Sequence, residues 1–114
     1  MKELKIETVD LPNGAIVVSL AGSADVVGLP ILERQLTSLL ARKPTRVVFD
    51  LAGLTFIASL SIGALIHFRS GALGWGGKVQ LACANDQISN TLKRVRVDVL
   101  LPVYPTIDAA LAVS

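Results

Sequence analysis

The stretch Asp50-Leu-Ala-Gly-Leu-Thr-Phe-Ile-Ala-Ser59-Leu-Ser-Ile-Gly63-Ala-Leu65 decides how this chain folds. It continues the apolar segment 46–51, whose β-branched residues are typical of a buried strand. A short polar turn is predicted next, and from Ser59 onward the apolar residues recur at helical spacing. The sequence therefore predicts a strand, a turn and a helix in direct succession, with the Ser59 hydroxyl at the junction. The rest of the chain offers no comparable candidate for chemistry.

Strands and helices are predicted to alternate on both sides of this junction. Residues 4–9 and 15–21 form a predicted hairpin, since Asn13 and Gly14 in the connecting turn tolerate positive φ. Further strands are predicted over 46–51, 78–82 and 99–103, the last at a sheet edge because of Pro102. Four helices are also predicted. The first begins within residues 25–28 and ends just before Pro44, and the second runs from Ser59 or Ser61 to residue 74. The third spans 86–96, and the fourth follows a Thr106 cap.

The helical periodicity also predicts which side chains face the core. They are Leu29, Leu32, Leu36 and Leu39 in the first helix, Ile62, Leu65, Ile66 and Leu73 in the second, Ile88, Leu92 and Val95 in the third, and Ile107, Ala110 and Leu111 in the last.

The order of elements predicts an α/β fold in a single domain spanning residues 1–114. We expect a mixed, mostly parallel sheet of about five strands with about four helices, because helical crossovers join parallel neighbours. Such folds place their sites at the carboxyl ends of the strands. The predicted junction at Ser59 is one of these ends.

Composition excludes several classes of function. Apolar residues make up 52% of the chain and charged residues 18%, which excludes disorder. The net charge of +2 does not indicate a nucleic-acid partner. Cys83 is the only cysteine, which excludes an internal disulfide or a cysteine-based zinc site and favours the reducing cytoplasm. Residues 51–68 lack charges, but Gly, Ser and Thr interrupt them, so we expect no membrane insertion.

Two residues at the junction keep alternative interpretations. A Ser at a helix start is most often an N-cap, worth about 1 kcal/mol, and Ser61 fits that position as well as Ser59 does. A phosphoryl group on Ser59 would instead meet free backbone N–H groups and would add about −1.5 to −2 charges to an apolar surface. Leu60 is either an exposed anchor for a partner or a core residue.

Other polar residues give weaker signals. Asp25 fits a helix cap better than a catalytic acid, and Asp50 fits an acceptor for nearby turn amides. His67 lies eight residues after Ser59, roughly 12 Å along a helix, which is too far for a Ser–His pair. The basic residues Lys93, Arg94 and Arg96 fit a solvated helix face. Without a metal cluster, nucleophile–base pair or cofactor motif, we expect no enzymatic activity and no cofactor.

An ordered set of segments resembles STAS domains, in particular the bacterial anti-sigma factor antagonists. Leu-Ala-Gly-Ser-Ala-Asp at 20–25 resembles the family's L-x-G-x-L-D segment, and Val-Val-Phe-Asp-Leu at 47–51 followed by Leu-Thr-Phe-Ile at 54–57 resembles its central strand. Ala-Ser-Leu-Ser-Ile-Gly at 58–63 lies where the family reads D-S-S/T-G-L-G. Segments 76–81 and 100–106 resemble a later strand and the C-terminal region.

The resemblance implies a role for individual residues. Ser59 matches the position that an anti-sigma factor with kinase activity phosphorylates, Gly63 matches the last motif glycine, and Asp25 matches the acidic residue of the earlier segment. The chain departs from the motif at Ala58, Leu60 and Ser61, which replace Asp, Ser/Thr and Gly. Ala58 places no carboxylate beside the hydroxyl, so the resemblance supports protein binding more directly than phosphorylation.

A function follows from this resemblance as an expectation. The chain would be a non-enzymatic, cytoplasmic regulatory domain that binds an anti-sigma factor or a sensor-type Ser/Thr kinase and acts in a sigma factor pathway of transcription regulation. The implied partner-binding residues are Asp25, Ala58, Ser59, Leu60, Ser61 and Gly63, with Ser59 as the candidate phosphoacceptor. The alternative is a constitutive scaffold or subunit of a signalling or lipid-transport assembly, without phosphorylation.

Overall fold

A computed structural model describes residues 3–113 and confirms the predicted fold class. One five-stranded sheet has the order β1-β2-β3-β4-β5. Its strands are β1 (Lys5–Asp10), β2 (Ala15–Ala24), β3 (Arg46–Ile57), β4 (Lys78–Ala82) and β5 (Val103–Tyr104). The helices are α1 (Leu29–Arg42), α2 (Ser59–Leu73), α3 (Asp86–Arg94) and α4 (Ile107–Leu111). None of the helices within residues 3–113 has the length and hydropathy needed to cross a bilayer.

The sheet is mixed, with one antiparallel and three parallel pairings. β1 pairs antiparallel with β2, as the hairpin prediction required. The tight connection contains Asn13 and Gly14 at φ 70° and 80°, the positive values for which these residue types are suited. β2, β3, β4 and β5 then run parallel, so their carboxyl ends meet at one edge of the sheet.

β3 is longer than predicted, and this is the main correction to the secondary structure. The strand does not end at Leu51 in a polar turn but continues to Ile57, because β2 also extends and pairs with it as far as Ala24. Two register shifts occur along this long pairing, and at each of them β3 contributes one residue more than β2. Gly53 is required there, since a Cβ at this position would lie 2.9 Å from the Cβ of Ala21.

Helices cover the two faces of the sheet unequally. α1, α2 and α3 pack on one face over the main core, in which Phe49 of β3 and Phe68 of α2 meet edge to face with ring centroids 5.9 Å apart. The short α4 covers only part of the other face, where Ala110 packs with Val17 and Val48. The predicted Thr106 cap is confirmed, since its hydroxyl oxygen accepts a hydrogen bond from the Ala109 N–H at 3.0 Å.

Three details near the ends of α2 and α3 were predicted wrongly. Leu73 is exposed, because the buried stripe of α2 passes from Phe68 to Ala72 and Leu73 is rotated away from it. Val95 is also exposed, since α3 ends at Arg94 and the chain turns so that Val97 enters the core instead. Residues 97–99 form a 3₁₀ turn rather than a strand, and β5 begins only after Pro102.

Candidate functional site

The junction between β3 and α2 lies at the carboxyl edge of the parallel strands. Ala58 alone separates the two elements and holds an extended backbone. Its N–H donates a hydrogen bond to the Ala24 carbonyl at 2.9 Å, and the Ser61 hydroxyl donates to the same carbonyl at 2.9 Å. The start of α2 is therefore held directly against the end of β2.

The N-terminus of α2 has no side-chain cap, and the prediction of a Ser cap was wrong. The capping position belongs to Ala58, whose methyl group accepts no hydrogen bond, while Ser59 is already the first helical residue. Ser61 is 1% exposed and its hydroxyl is used on Ala24, so this residue offers no surface to a partner. By contrast, Asn85 caps α3 through its Oδ1, 2.9 Å from the Ile88 nitrogen. The first N–H groups of α2 are thus left to solvent or to a ligand.

Ser59, Leu60 and Gly63 are exposed at the start of α2. The Ser59 hydroxyl makes no hydrogen bond to any other part of the described chain, residues 3–113. The Leu60 side chain is 60% exposed, which excludes the core interpretation and leaves the anchor interpretation. A Cβ added to Gly63 would meet nothing within 4 Å, so the fold itself does not require glycine there.

Two exposed valines beside the junction were missed by the sequence analysis. Val26 and Val27 follow β2 in a turn, and Val27 is 80% exposed. A signal was available, because two adjacent β-branched apolar residues are unusual in a turn that Asp25 and Gly28 delimit. Because Ala24 is hydrogen-bonded to α2, these valines lie beside its first turn. We call Val26, Val27, Ser59, Leu60 and Gly63 the junction surface.

The Asp25 carboxylate caps the turn of residues 25–28, which comes directly before α1, rather than α1 itself. Its Oδ1 accepts a hydrogen bond from the Gly28 N–H at 2.9 Å, and its Oδ2 accepts one from the Ser23 hydroxyl at 3.2 Å. The Gly28 N–H is the main reason that the pKa of Asp25 lies below its ordinary value. The carboxylate therefore fixes the turn that presents Val26 and Val27.

Asp50 and Cys83 form a separate polar pair near the other face of the sheet. Asp50 lies within β3, where its Oδ2 accepts from the Ser19 hydroxyl and its Oδ1 from the Ala52 N–H, each at 3.0 Å. Burial, together with the nearby Asp50 carboxylate, raises the pKa of Cys83. This thiol is partly buried, as a small packing residue would be, and its raised pKa disfavours the nucleophilic thiolate.

A groove of about 470 Å³ runs between α1 and α2 from the junction surface. Leu29 and Leu36 line one wall, Leu60 and Gly63 the other, and His67 lies farther along α2. The His67 side chain is exposed to solvent. Across residues 3–113, no group of three or more His, Cys, Asp and Glu side chains could hold a metal ion.

Comparisons with known proteins agree with this architecture. The family model described as the STAS domain matches residues 6–110. An anti-sigma factor antagonist from Mycobacterium paratuberculosis is 27% identical, with a TM-score of 0.87 over 96% of this chain and 92% of that one. The Bacillus cell fate determinant SpoIIAA in its phosphorylated form is 12% identical, with a TM-score of 0.72 over 94% and 96%. A sulfate transporter family protein from Wolinella succinogenes is 21% identical, with a TM-score of 0.74 over 90% and 85%.

Proposed function

The chain belongs to the STAS domain family, and on that premise we propose that it is a non-enzymatic regulatory domain that binds another protein through the junction surface. The partner is an anti-sigma factor or a sensor-type Ser/Thr kinase, and the domain acts in the cytoplasm on a sigma factor pathway of transcription. The observation that carries the proposal is the exposure of three apolar side chains at the junction, Leu60 next to Ser59 at the start of α2 and Val26 and Val27 in the turn after β2.

The chemistry of the junction surface supports protein binding. Its three apolar side chains come from two segments that the Ala24 carbonyl ties together, so they form a preorganised patch. Preorganisation reduces the ordering cost of association. The similarity to the mycobacterial anti-sigma factor antagonist supports the choice of partner class.

Phosphorylation of Ser59 is the regulatory part of the proposal. The uncapped N–H groups and the positive end of the α2 dipole would accept a phosphoryl group without rearrangement. The added charge of about −1.5 to −2 would lie beside the exposed Leu60, and burying it under a partner would carry a large desolvation penalty. The modified domain would then release its partner.

Binding assays with Ser59 variants test this proposal. The partner to use is an anti-sigma factor with kinase activity from the same genome, and isothermal titration measures its affinity. We expect Ser59→Asp to weaken binding by at least tenfold and Ser59→Ala to leave it nearly unchanged. Ser38→Asp is the matched control, since Ser38 is another exposed helical serine and lies away from the junction. Equal effects of the two Asp substitutions would contradict the proposal.

Ala58 allows a separate test of the phosphorylation step. Ala58→Asp would restore the family's carboxylate beside Ser59 and supply the missing N-cap, which should stabilise the domain by about 1 kcal/mol. Mass spectrometry after incubation with the kinase and ATP compares the two proteins. Phosphate on Ser59 of the unchanged protein supports the switch, whereas phosphate on the Ala58→Asp variant alone would show that Ala58 prevents it. If Ser59 stays unmodified in both proteins and binding is retained, the result would contradict the phosphorylation switch and would still support the protein-binding function.

A constitutive scaffold is the second candidate function. The absence of a carboxylate at Ala58 favours it, and the similarity to a sulfate transporter family protein shows that the fold also occurs outside sigma factor regulation. A scaffold would retain its partner in the Ser59→Asp variant. The same titration therefore separates the two functions.

A further inference from the structure

The edge of the sheet opposite the junction surface carries a concentration of positive charge. α1 and α3 end at this edge, and β4 begins there, because all three parallel crossovers return to it. Five exposed cations lie on these segments or directly after them, namely Lys43, Lys78, Lys93, Arg94 and Arg96, and one exposed carboxylate, Asp98, offsets part of their charge. Within residues 3–113 the structure records one ion pair, between Arg42 and Asp10, and none of the five cations takes part in it. We call this set the basic end.

Apolar side chains are exposed among these cations. Val99 is 77% exposed on the turn that follows α3, next to the exposed Leu100. Val95 and Leu73, the two residues that were predicted to be buried, are exposed at the ends of α3 and α2. The basic end therefore combines unpaired cations with apolar side chains that the fold leaves uncovered.

The fold does not account for this combination. Basic residues near the C-termini of α1 and α3 complement the helix dipoles, which explains Lys43, Lys93 and Arg94. The dipoles do not explain Lys78, at the start of a strand, or the exposure of Val99 and Leu100. A binding surface that carries negative charges above an apolar layer would match both the cations and the exposed apolar side chains.

We propose that the basic end docks on the surface of an anionic phospholipid membrane. Each cation near such a surface adds to the attraction, and apolar side chains enter the interface between headgroups and acyl chains. A second copy of this chain would oppose cations with cations. An acidic protein would match the cations alone, whereas the exposed aliphatic side chains among them, Val95, Val99 and Leu100, favour a membrane, whose acyl chains form an apolar layer beneath the charged headgroups.

The distribution of acidic residues supports a defined orientation. Asp25, Asp86 and Asp108 lie at the carboxyl edge, in the turn after β2 and in the first turns of α3 and α4. A negatively charged membrane would repel this edge while attracting the basic end. Docking would therefore leave the junction surface facing the solution and free for a partner.

Vesicle co-sedimentation of the full chain tests the proposal. The vesicles contain phosphatidylcholine alone or with about one third phosphatidylserine. We expect binding only to the anionic vesicles, with loss of binding at high salt. Lys93→Gln with Arg94→Gln should reduce binding roughly 25-fold, since each cation contributes about fivefold near an anionic surface. The matched control, Lys5→Gln with Arg34→Gln, removes the same charge outside the basic end and should have little effect.

The apolar contribution has its own matched pair. Val99→Ser should reduce vesicle binding, whereas Val27→Ser, which changes an equally exposed valine on the junction surface, should not. Equal loss in both double variants, equal binding to neutral and anionic vesicles, or no vesicle binding would overturn the proposal. Binding to polyglutamate without binding to vesicles would also overturn it and would assign the basic end to an acidic protein instead.

Discussion

Replacing Gly63 with Ala should make the domain more stable and, at the same time, poorer at binding its partner. Gly63 lies within α2, where glycine is less favourable than alanine by about 1 kcal/mol. The new methyl group would enter open space, so no repacking cost offsets the gain. We expect the free energy of unfolding to rise by about 1 kcal/mol and the melting temperature by about 4 °C for a domain of this size.

Gly71 provides the matched control on the same helix. The propensity gain is the same, but a Cβ at Gly71 would lie 2.7 Å from Cδ2 of Leu40. This methyl is the far end of a flexible side chain and can move aside at a small cost, so Gly71→Ala should stabilise the domain less than Gly63→Ala does. Urea denaturation followed by circular dichroism measures both variants at equal protein concentration.

Binding of the proposed partner, an anti-sigma factor, is the second measurement on Gly63→Ala. If the partner packs against this part of the junction surface, the methyl group should weaken binding about tenfold or more. A gain in stability with unchanged affinity would remove Gly63 from the binding surface. A loss of stability would refute the open geometry of α2 at this position, and with it the argument that the fold does not require glycine.

Three further outcomes follow from the polar contacts. Ser61→Ala removes a buried hydrogen bond and should lower the free energy of unfolding by about 1 kcal/mol, measured by urea denaturation; an unchanged midpoint would mean that the bond contributes nothing. Because the pKa of Asp25 is lowered, its ionised form stabilises the turn above its ordinary pKa, and this contribution is lost as the pH falls through the folded-state value. Stability should therefore decline on acidification below about pH 4, and less so in Asp25→Asn. Asp50→Asn should accelerate alkylation of Cys83 by iodoacetamide near neutral pH, since removing the charge lowers the pKa of the thiol; an unchanged rate would show that burial alone controls it.

The alternation of strands and helices was predictable because each element carries its own hydrophobic period. The hairpin, α1 and β4 were located to within a few residues, since turn residues or Pro44 mark their ends. The length of β3 was not predictable from its own residues. Its last six residues become a strand because β2 extends beside them, and that is a pairing between segments far apart in sequence.

Some features of the site could not be predicted from the sequence for similar reasons. A serine near a helix start predicts a cap, but α2 begins so that Ala58 holds the capping position and Ser61 lies within the first turn, where its hydroxyl donates to the Ala24 carbonyl. Whether Leu60 is exposed depends on how α2 packs against α1, and the sequence alone left both interpretations of Leu60 open. The exposure of Val26 and Val27 depends on the turn that the Asp25 carboxylate forms with the Gly28 N–H, and the only local signal for it was the pair of β-branched residues between Asp25 and Gly28.

The shared carbonyl of Ala24 has a consequence for how any switch at this site would operate. The Ala58 N–H and the Ser61 hydroxyl both donate to this carbonyl oxygen. The end of β2 and the start of α2 are therefore held together at one atom and would move together. A modification at Ser59 would therefore alter what the domain presents without altering its shape. Phosphorylation would act on the partner through local electrostatic repulsion. The rate of the response would be set by dissociation of the partner, without a slow refolding step.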